Sequence, residues 1–197
     1  MTPFILYLHG FLSAPQSAKA QLTLEYCRQL GLGDHIAIPY MSGSPAETIA
    51  QLETLIAGAD GSLCLLGSSL GGYYATWLAE KYDAPAVLIN PAVRPFELWQ
   101  DHIGEHRNYY SEDVHVVTED HIAEIRQLHC EELKHPENFM VLLQTGDETL
   151  DYRLAAEKFA ASELLVRQGG NHSYVDYEAE LPAIFDYLLS RIGCSVR

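Results

Sequence analysis

The chain has 197 residues, 48% of them hydrophobic, enough for one domain with a sizeable core and too few charged residues (20%) for wholesale disorder. Twelve Lys and Arg stand against 27 Asp and Glu, a formal charge of −15. That surface repels phosphate backbones and anionic lipid, which excludes nucleic acid and membrane surfaces as expected partners; an anionic substrate would need a local basic spot to offset the global field.

The N-terminal stretch has no basic region ahead of its short apolar run, and no run approaches the roughly 18 apolar residues that span a bilayer. The four cysteines, Cys27, Cys64, Cys130 and Cys194, are scattered without a C-x-x-C pair, and Cys64 reads as a small core residue. A soluble, cytoplasmic protein without structural zinc or other metal is expected.

In chain order, short apolar runs alternate with helical patterns. The first run, Phe4 to Leu8, ends in His9-Gly10-Phe11-Leu12, and a helix is expected from about Ser17 to Leu30. Runs follow at His35 to Ile38, Ser62 to Leu66, Ala86 to Ile89, Phe139 to Leu143 and Glu163 to Val166. Between them lie helical patterns near Ala46 to Ala57, Ser69 to Lys81, Tyr152 to Ala161 and Tyr177 to Arg191. Runs rich in Leu, Ile and Val are what strands buried on both faces look like, and their alternation with helices implies a parallel sheet covered on both sides. The expected fold is therefore α/β: a single domain over 1–197 with six mainly parallel strands, in the order 2-1-3-4-5-6 along the chain numbering. Residues 95–138 break the rhythm. They hold six of the nine histidines, carry no clear strand, and are expected to fold as a partly helical cap, notably over Glu119 to Cys130.

Four segments at strand ends carry chemistry. Gly67-Ser68-Ser69-Leu70-Gly71 fits G-x-S-x-G and stands between an apolar run and a helical one, the setting of a nucleophile elbow. The serine must project from a sharp turn, so glycines flank it. A neutral hydroxyl is a weak nucleophile and needs a base. His172, after Gly169-Gly170-Asn171, suits that role, with a carboxylate behind it to hold the imidazolium. Asp147 and Asp151 both follow the strand at Phe139 to Leu143. Asp147 is closer to the strand end and is assigned as the acid, while Asp151 reads as the N-cap of the helix near Tyr152. Backbone amides of Phe11 and Leu70 are expected to form the oxyanion hole, with His9, Gly10 and Leu12 in the substrate-binding surface. Arg94 admits two readings: an anion contact for a substrate carboxylate or a coenzyme A phosphate, or a salt bridge with one of the many acids. His102 and His106, four apart, form the one suggestive metal-like pair, without a supporting His/Cys framework.

These residues resemble the α/β-hydrolase superfamily and, more narrowly, the YqiA-type bacterial esterases. The similarity is carried by YLHGF (Tyr7 to Phe11), GSSLGGYYATWLA (Gly67 to Ala79), NPAVRPFEL (Asn90 to Leu98), TGDETLDYR (Thr145 to Arg153) and GGNHSY (Gly169 to Tyr174), and it is weakest over the cap. The resemblance implies a compact hydrolase acting on carboxylic esters or acyl thioesters through Ser69, Asp147 and His172, with no cofactor and a small-molecule substrate, an acyl-coenzyme A among the candidates. An acyltransferase on the same residues, or a binding protein that keeps the fold without catalysis, are the alternatives.

Overall fold

The computed structural model describes residues 2–41 and 43–194. The chain alternates β1 (Pro3–Leu8), α1 (Ala18–Gln29), β2 (Ile36–Ala37), α2 (Pro45–Ala57), β3 (Ser62–Ser68), α3 (Leu70–Tyr82) and β4 (Ala86–Ile89). After an excursion it resumes with β7 (Phe139–Gln144), α6 (Tyr152–Lys158), β8 (Glu163–Arg167) and α7 (Tyr177–Arg191). Six strands form one sheet in the order β2-β1-β3-β4-β7-β8, every pairing parallel. Counting only the strands of this sheet, that is the order expected from the sequence.

The sheet is buried on both faces, which explains why its strands read as continuous apolar runs. Side chains alternate across it. Ile5, Tyr7, Cys64, Leu66, Val87, Ile89, Met140 and Leu142 face one layer with α1 and α7, including Leu181, Phe185 and Leu188. Leu6, Leu8, Leu65, Leu88, Val141 and Leu143 face the other, with Leu52 of α2, Tyr74 and Leu78 of α3 and Phe159 beyond α6. Cys64 is fully buried here, and burial pushes its thiol up to about 12, an inert core residue.

Local signals set the helix starts. Ser44 and Glu47 form a reciprocal capping box that spans Pro45 at the first helical position. Asp151 caps α6, its side chain accepting the Arg153 amide, as its position suggested.

The segment 95–138 departs from expectation. Besides helices α4 (Pro95–Leu98) and α5 (Glu119–Gln127) it contains an antiparallel hairpin, β5 (Gly104–Arg107) and β6 (Val114–Val117). The short sequences GEHR and VHVV hide these strands, because Glu105, Arg107, Val114 and Val116 are exposed on one face while His106 and His115 occupy the half-buried other. The hairpin docks on the loop after β1: the Tyr109 amide donates to the Leu12 carbonyl at 3.0 Å, and Asn108 Nδ2 to the Ser13 carbonyl at 2.9 Å. Phe11 packs edge-on against His106 and His115, with ring centroids 5.8 and 5.1 Å apart. On the far side α5 is held by the Tyr73 hydroxyl, which donates to the Ile125 carbonyl at 2.9 Å. Among the described residues no helix is long and apolar enough to cross a membrane.

Candidate active site

All of the sequence-singled segments leave the carboxyl ends of strands, where an open α/β sheet gathers its ligands. Ser69 follows β3, the loop His9–Leu12 follows β1, Asn90 follows β4, Asp147 lies just beyond β7 and His172 beyond β8. The crevice opens beside β1, which is flanked by β2 on one side and β3 on the other, so the chain leaves in opposite directions there.

Ser69 sits at φ 56°, ψ −120°, a backbone region that L-residues avoid and that a sharp strand-to-helix turn demands. The turn is only as tight as its glycines allow. A Cβ on Gly71 would lie 2.0 Å from the Leu8 carbonyl oxygen, and one on Gly67 2.5 Å from the Gly71 oxygen. The Ser69 carbonyl in turn accepts the amides of Gly72 and Ala92, both at 3.0 Å. These bonds offset part of the strain.

Three segments distant in the chain then meet. His172 Nε2 lies 3.0 Å from Ser69 Oγ, and His172 Nδ1 lies 2.8 and 3.0 Å from the two Asp147 oxygens. An ionised carboxylate can only accept, so Nδ1 carries the proton and Nε2 is left to accept from the serine hydroxyl. The Asp147 side chain is 1% exposed and that of His172 23%. Burial pushes the Asp147 carboxyl upward. The bond from His172, the amides of Leu150 and Thr149 (2.8 and 2.9 Å) and the imidazole's charge outweigh it, holding the group below its ordinary value.

The loop bearing His172 is pinned by residues to which the sequence assigned no role. Asn90, buried at φ 41°, donates from Nδ2 to the carbonyls of Asn171 and His172 at 3.1 and 3.3 Å, while its Oδ1 accepts the Gln144 amide. Gln144 Oε1 accepts the amides of Asn171 and Val175. Glu148 Oε2 accepts the amide of His172 at 3.0 Å. A polar residue closing an apolar strand, as Asn90 and Gln144 do, is the available signal, but its partners lie tens of residues away.

The remaining candidates separate. Leu70 is the first residue of α3, so its amide has no intrahelical acceptor. Gly10 passes close to Ser69: a Cβ there would stand 3.2 Å from Ser69 Cβ. His9 is 2% exposed and its ring is consumed internally, with Nδ1 donating to the Gly10 carbonyl at 2.9 Å and Nε2 accepting the Met41 amide at 3.1 Å. It holds the loop's shape and has no ring nitrogen left for a ligand. Leu12, at φ 55°, lines a smaller depression with Tyr40 and Trp99. Arg94 is not brought to Ser69. It stands 3.7 Å from Glu97 and lines a separate hollow with His129, Glu157 and Lys158. His102 and His106 bond through ring nitrogens to the carbonyls of Leu98 and His102, with ring centroids 6.0 Å apart. Above Ser69 lies a cleft of about 200 Å³, bounded by Gly10, Phe11, Ser17, Lys19, Tyr109, Tyr110 and His172, among others.

Solved structures share this architecture. Est1E from Butyrivibrio proteoclasticus superposes with a TM-score of 0.69 at 13% identity, over 97% of this chain and 88% of that one. Alpha/beta hydrolase domain-containing protein 10 from mouse gives 0.69 at 18%, over 95% and 89%. The esterase domain of a Rhodothermus marinus protein gives 0.63 at 16%, over 95% and 84%. At these identities the likeness is one of fold, and the fold is that of the α/β-hydrolases. The model of the uncharacterised protein family UPF0227 matches residues 4–189, nearly the whole chain, and the protein belongs to that family.

Proposed function

We propose that the protein is a serine hydrolase that cleaves carboxylic esters or acyl thioesters through an acyl-enzyme. The reading is carried by one observation: Ser69 Oγ, the His172 ring and the Asp147 carboxylate stand in series at 3.0 and 2.8 Å. Ser69 attacks the carbonyl carbon while His172 Nε2 takes its proton, and the imidazolium is held by Asp147. The amides of Phe11 and Leu70 receive the developing oxyanion, an interaction worth several kcal/mol of barrier per site. The same proton then passes to the leaving oxygen or sulfur. Water, deprotonated by His172, releases the acid and restores Ser69. Segment 95–138 serves as the cap, with Tyr109 and Tyr110 at the mouth of the cleft.

The test is hydrolysis of a short p-nitrophenyl ester by the purified protein. Ser69→Ala and His172→Ala should each lower kcat by at least about 10⁴-fold, because such groups act as a unit. A fluorophosphonate should label Ser69 in the folded protein. Undiminished turnover by Ser69→Ala overturns the assignment, and failure of the probe points instead to a binding protein of the same fold.

A further inference from the structure

The wall of the cleft formed by the start of α1 differs in charge from the rest of the chain. Lys19 lines it together with Ser69 and His172. Lys19 Nζ donates to the Ser173 carbonyl at 2.9 Å, which uses one of its three N–H groups. Arg28, Lys81, Arg94, Arg153 and Arg167 each stand within 4.0 Å of a carboxylate; among the described residues Lys19, like Arg107, Arg126, Lys134, Lys158 and Arg191, has none, and of these it is the one that lines this cleft. In a chain with 27 acids, a cation without an acid beside it is available for a ligand. Burial lowers the ammonium's affinity for its proton while the Asp147 charge supports it, the state of a cation with part of its hydration removed.

Ser17 supplies a second, independent observation. It is 8% exposed, lines the same cleft, and occupies the N-cap position of α1, yet its hydroxyl makes no capping bond and no other hydrogen bond among the described residues. The first-turn amides of a helix have no intrahelical acceptors, and the helix dipole favours negative charge beside them. The distant acids do not cancel this local field, because charges beyond about 8 Å are screened at physiological ionic strength.

We propose that Lys19 and Ser17 form an anion subsite of the cleft that binds a carboxylate on the ester substrate, making them specificity-determining residues. The proposal rests on Ser69 being the nucleophile as read above. The position of Arg94, away from Ser69 and beside Glu97, leaves Lys19 as the cation lining this cleft.

Three esters test it: p-nitrophenyl butyrate, which is neutral; p-nitrophenyl hemisuccinate, with a carboxylate on the acyl side; and 4-carboxyphenyl butyrate, with one on the leaving group. The quantity read is kcat/KM for each carboxylate ester divided by that for the neutral one. Lys19→Met should lower this ratio about tenfold or more for at least one carboxylate ester, mainly through KM, as expected for a lost hydrogen bond to a charged group. Lys19→Arg should restore most of it, Ser17→Ala should lower it several-fold, and the ester that responds identifies the side on which the anion lies. A ratio unchanged in Lys19→Met overturns the subsite, including the case where all three esters slow together because Lys19 only tethers Ser173. Persistence of all three activities in Ser69→Ala is the separate failure of the nucleophile assignment. If the protein turns over no ester, titration with succinate followed by NMR reads the subsite directly: binding weakened by Lys19→Met sustains it, and no binding overturns it.

Discussion

Glu148 Oε2 accepts the main-chain amide of His172 at 3.0 Å, while its neighbour Asp147 holds the ring of the same residue at 2.8 Å. Two consecutive acids thus grip one histidine at its two ends, so the ring can turn neither by rotating about its side-chain bonds nor by drifting with its loop. The contact holds the Glu148 carboxyl below its ordinary range.

This grip makes Glu148 a positioning residue with a measurable signature. Glu148→Ala should lower kcat on a neutral p-nitrophenyl ester about tenfold, with KM nearly unchanged, because a small misplacement of the base costs rate more than binding. Glu148→Gln keeps an acceptor oxygen and should recover most of the activity. Loss in the Gln variant equal to that in the Ala variant would mean that charge, and not the amide bond, is what matters.

Asp147→Asn should lower kcat by on the order of 10³ to 10⁴, since the amide cannot hold Nδ1 protonated and stabilise the imidazolium as a carboxylate does. The carboxyl's folded pKa is depressed below the unfolded value of about 3.9. Its stabilising contribution is therefore complete above that value and is lost as pH falls through the depressed one. Urea unfolding between about pH 2.5 and 6 should show the wild type losing this increment in acid, and the Asn variant lacking it.

Asn90→Asp changes one atom's chemistry and no volume. The donor Nδ2 becomes a carboxylate oxygen facing the carbonyls of Asn171 and His172, which are left without partners beside a buried charge. About 3 kcal/mol of stability should be lost, which for a chain of this size lowers Tm by roughly 6–12 °C. Activity should fall with it, because those carbonyls belong to the loop carrying His172, the base of the proposed reaction. A Tm within a degree of wild type would show that the bonds do not hold the loop.

His9 should impose a pH dependence on stability. Burial lowers its proton affinity below the ordinary 6.5, with the Gly10 carbonyl pulling weakly the other way. Below about pH 6.5 the unfolded chain takes up a proton that the folded chain resists, so this site costs stability progressively as pH falls towards the folded value. His9→Asn should be less stable than wild type at pH 8, and the gap in Tm should narrow as pH is lowered to 5. A gap constant with pH would show that His9 does not titrate in this way.

Local patterns along the chain were enough for the frame and for the polar residues that gather at the strand ends. Strands buried on both faces must be apolar throughout, so β1, β3, β4 and β7 stood out as Leu-, Ile- and Val-rich runs close to their observed bounds. The elbow was legible because its glycines stand between an apolar run and a helical one; a side chain at Gly67 would collide with the Gly71 and Gly72 backbone a few residues on, and one at Gly71 with Leu8 and His9 of the neighbouring strand end. Asp147 and His172 followed from their places just past strand ends. The rest depended on long-range packing. The hairpin β5–β6 is half-exposed and rich in imidazoles, so its pattern lacks the apolar alternation of a strand. The pins Asn90 and Gln144 act on carbonyls and amides 27 to 82 residues away. Along the chain Arg94 drew attention as the cation just past a strand end, whereas Lys19 lay inside a helical pattern. Which of them faces Ser69 depends on how α1 and α4 pack on the sheet, and that is set by contacts summed over the whole core rather than by any local run of residues.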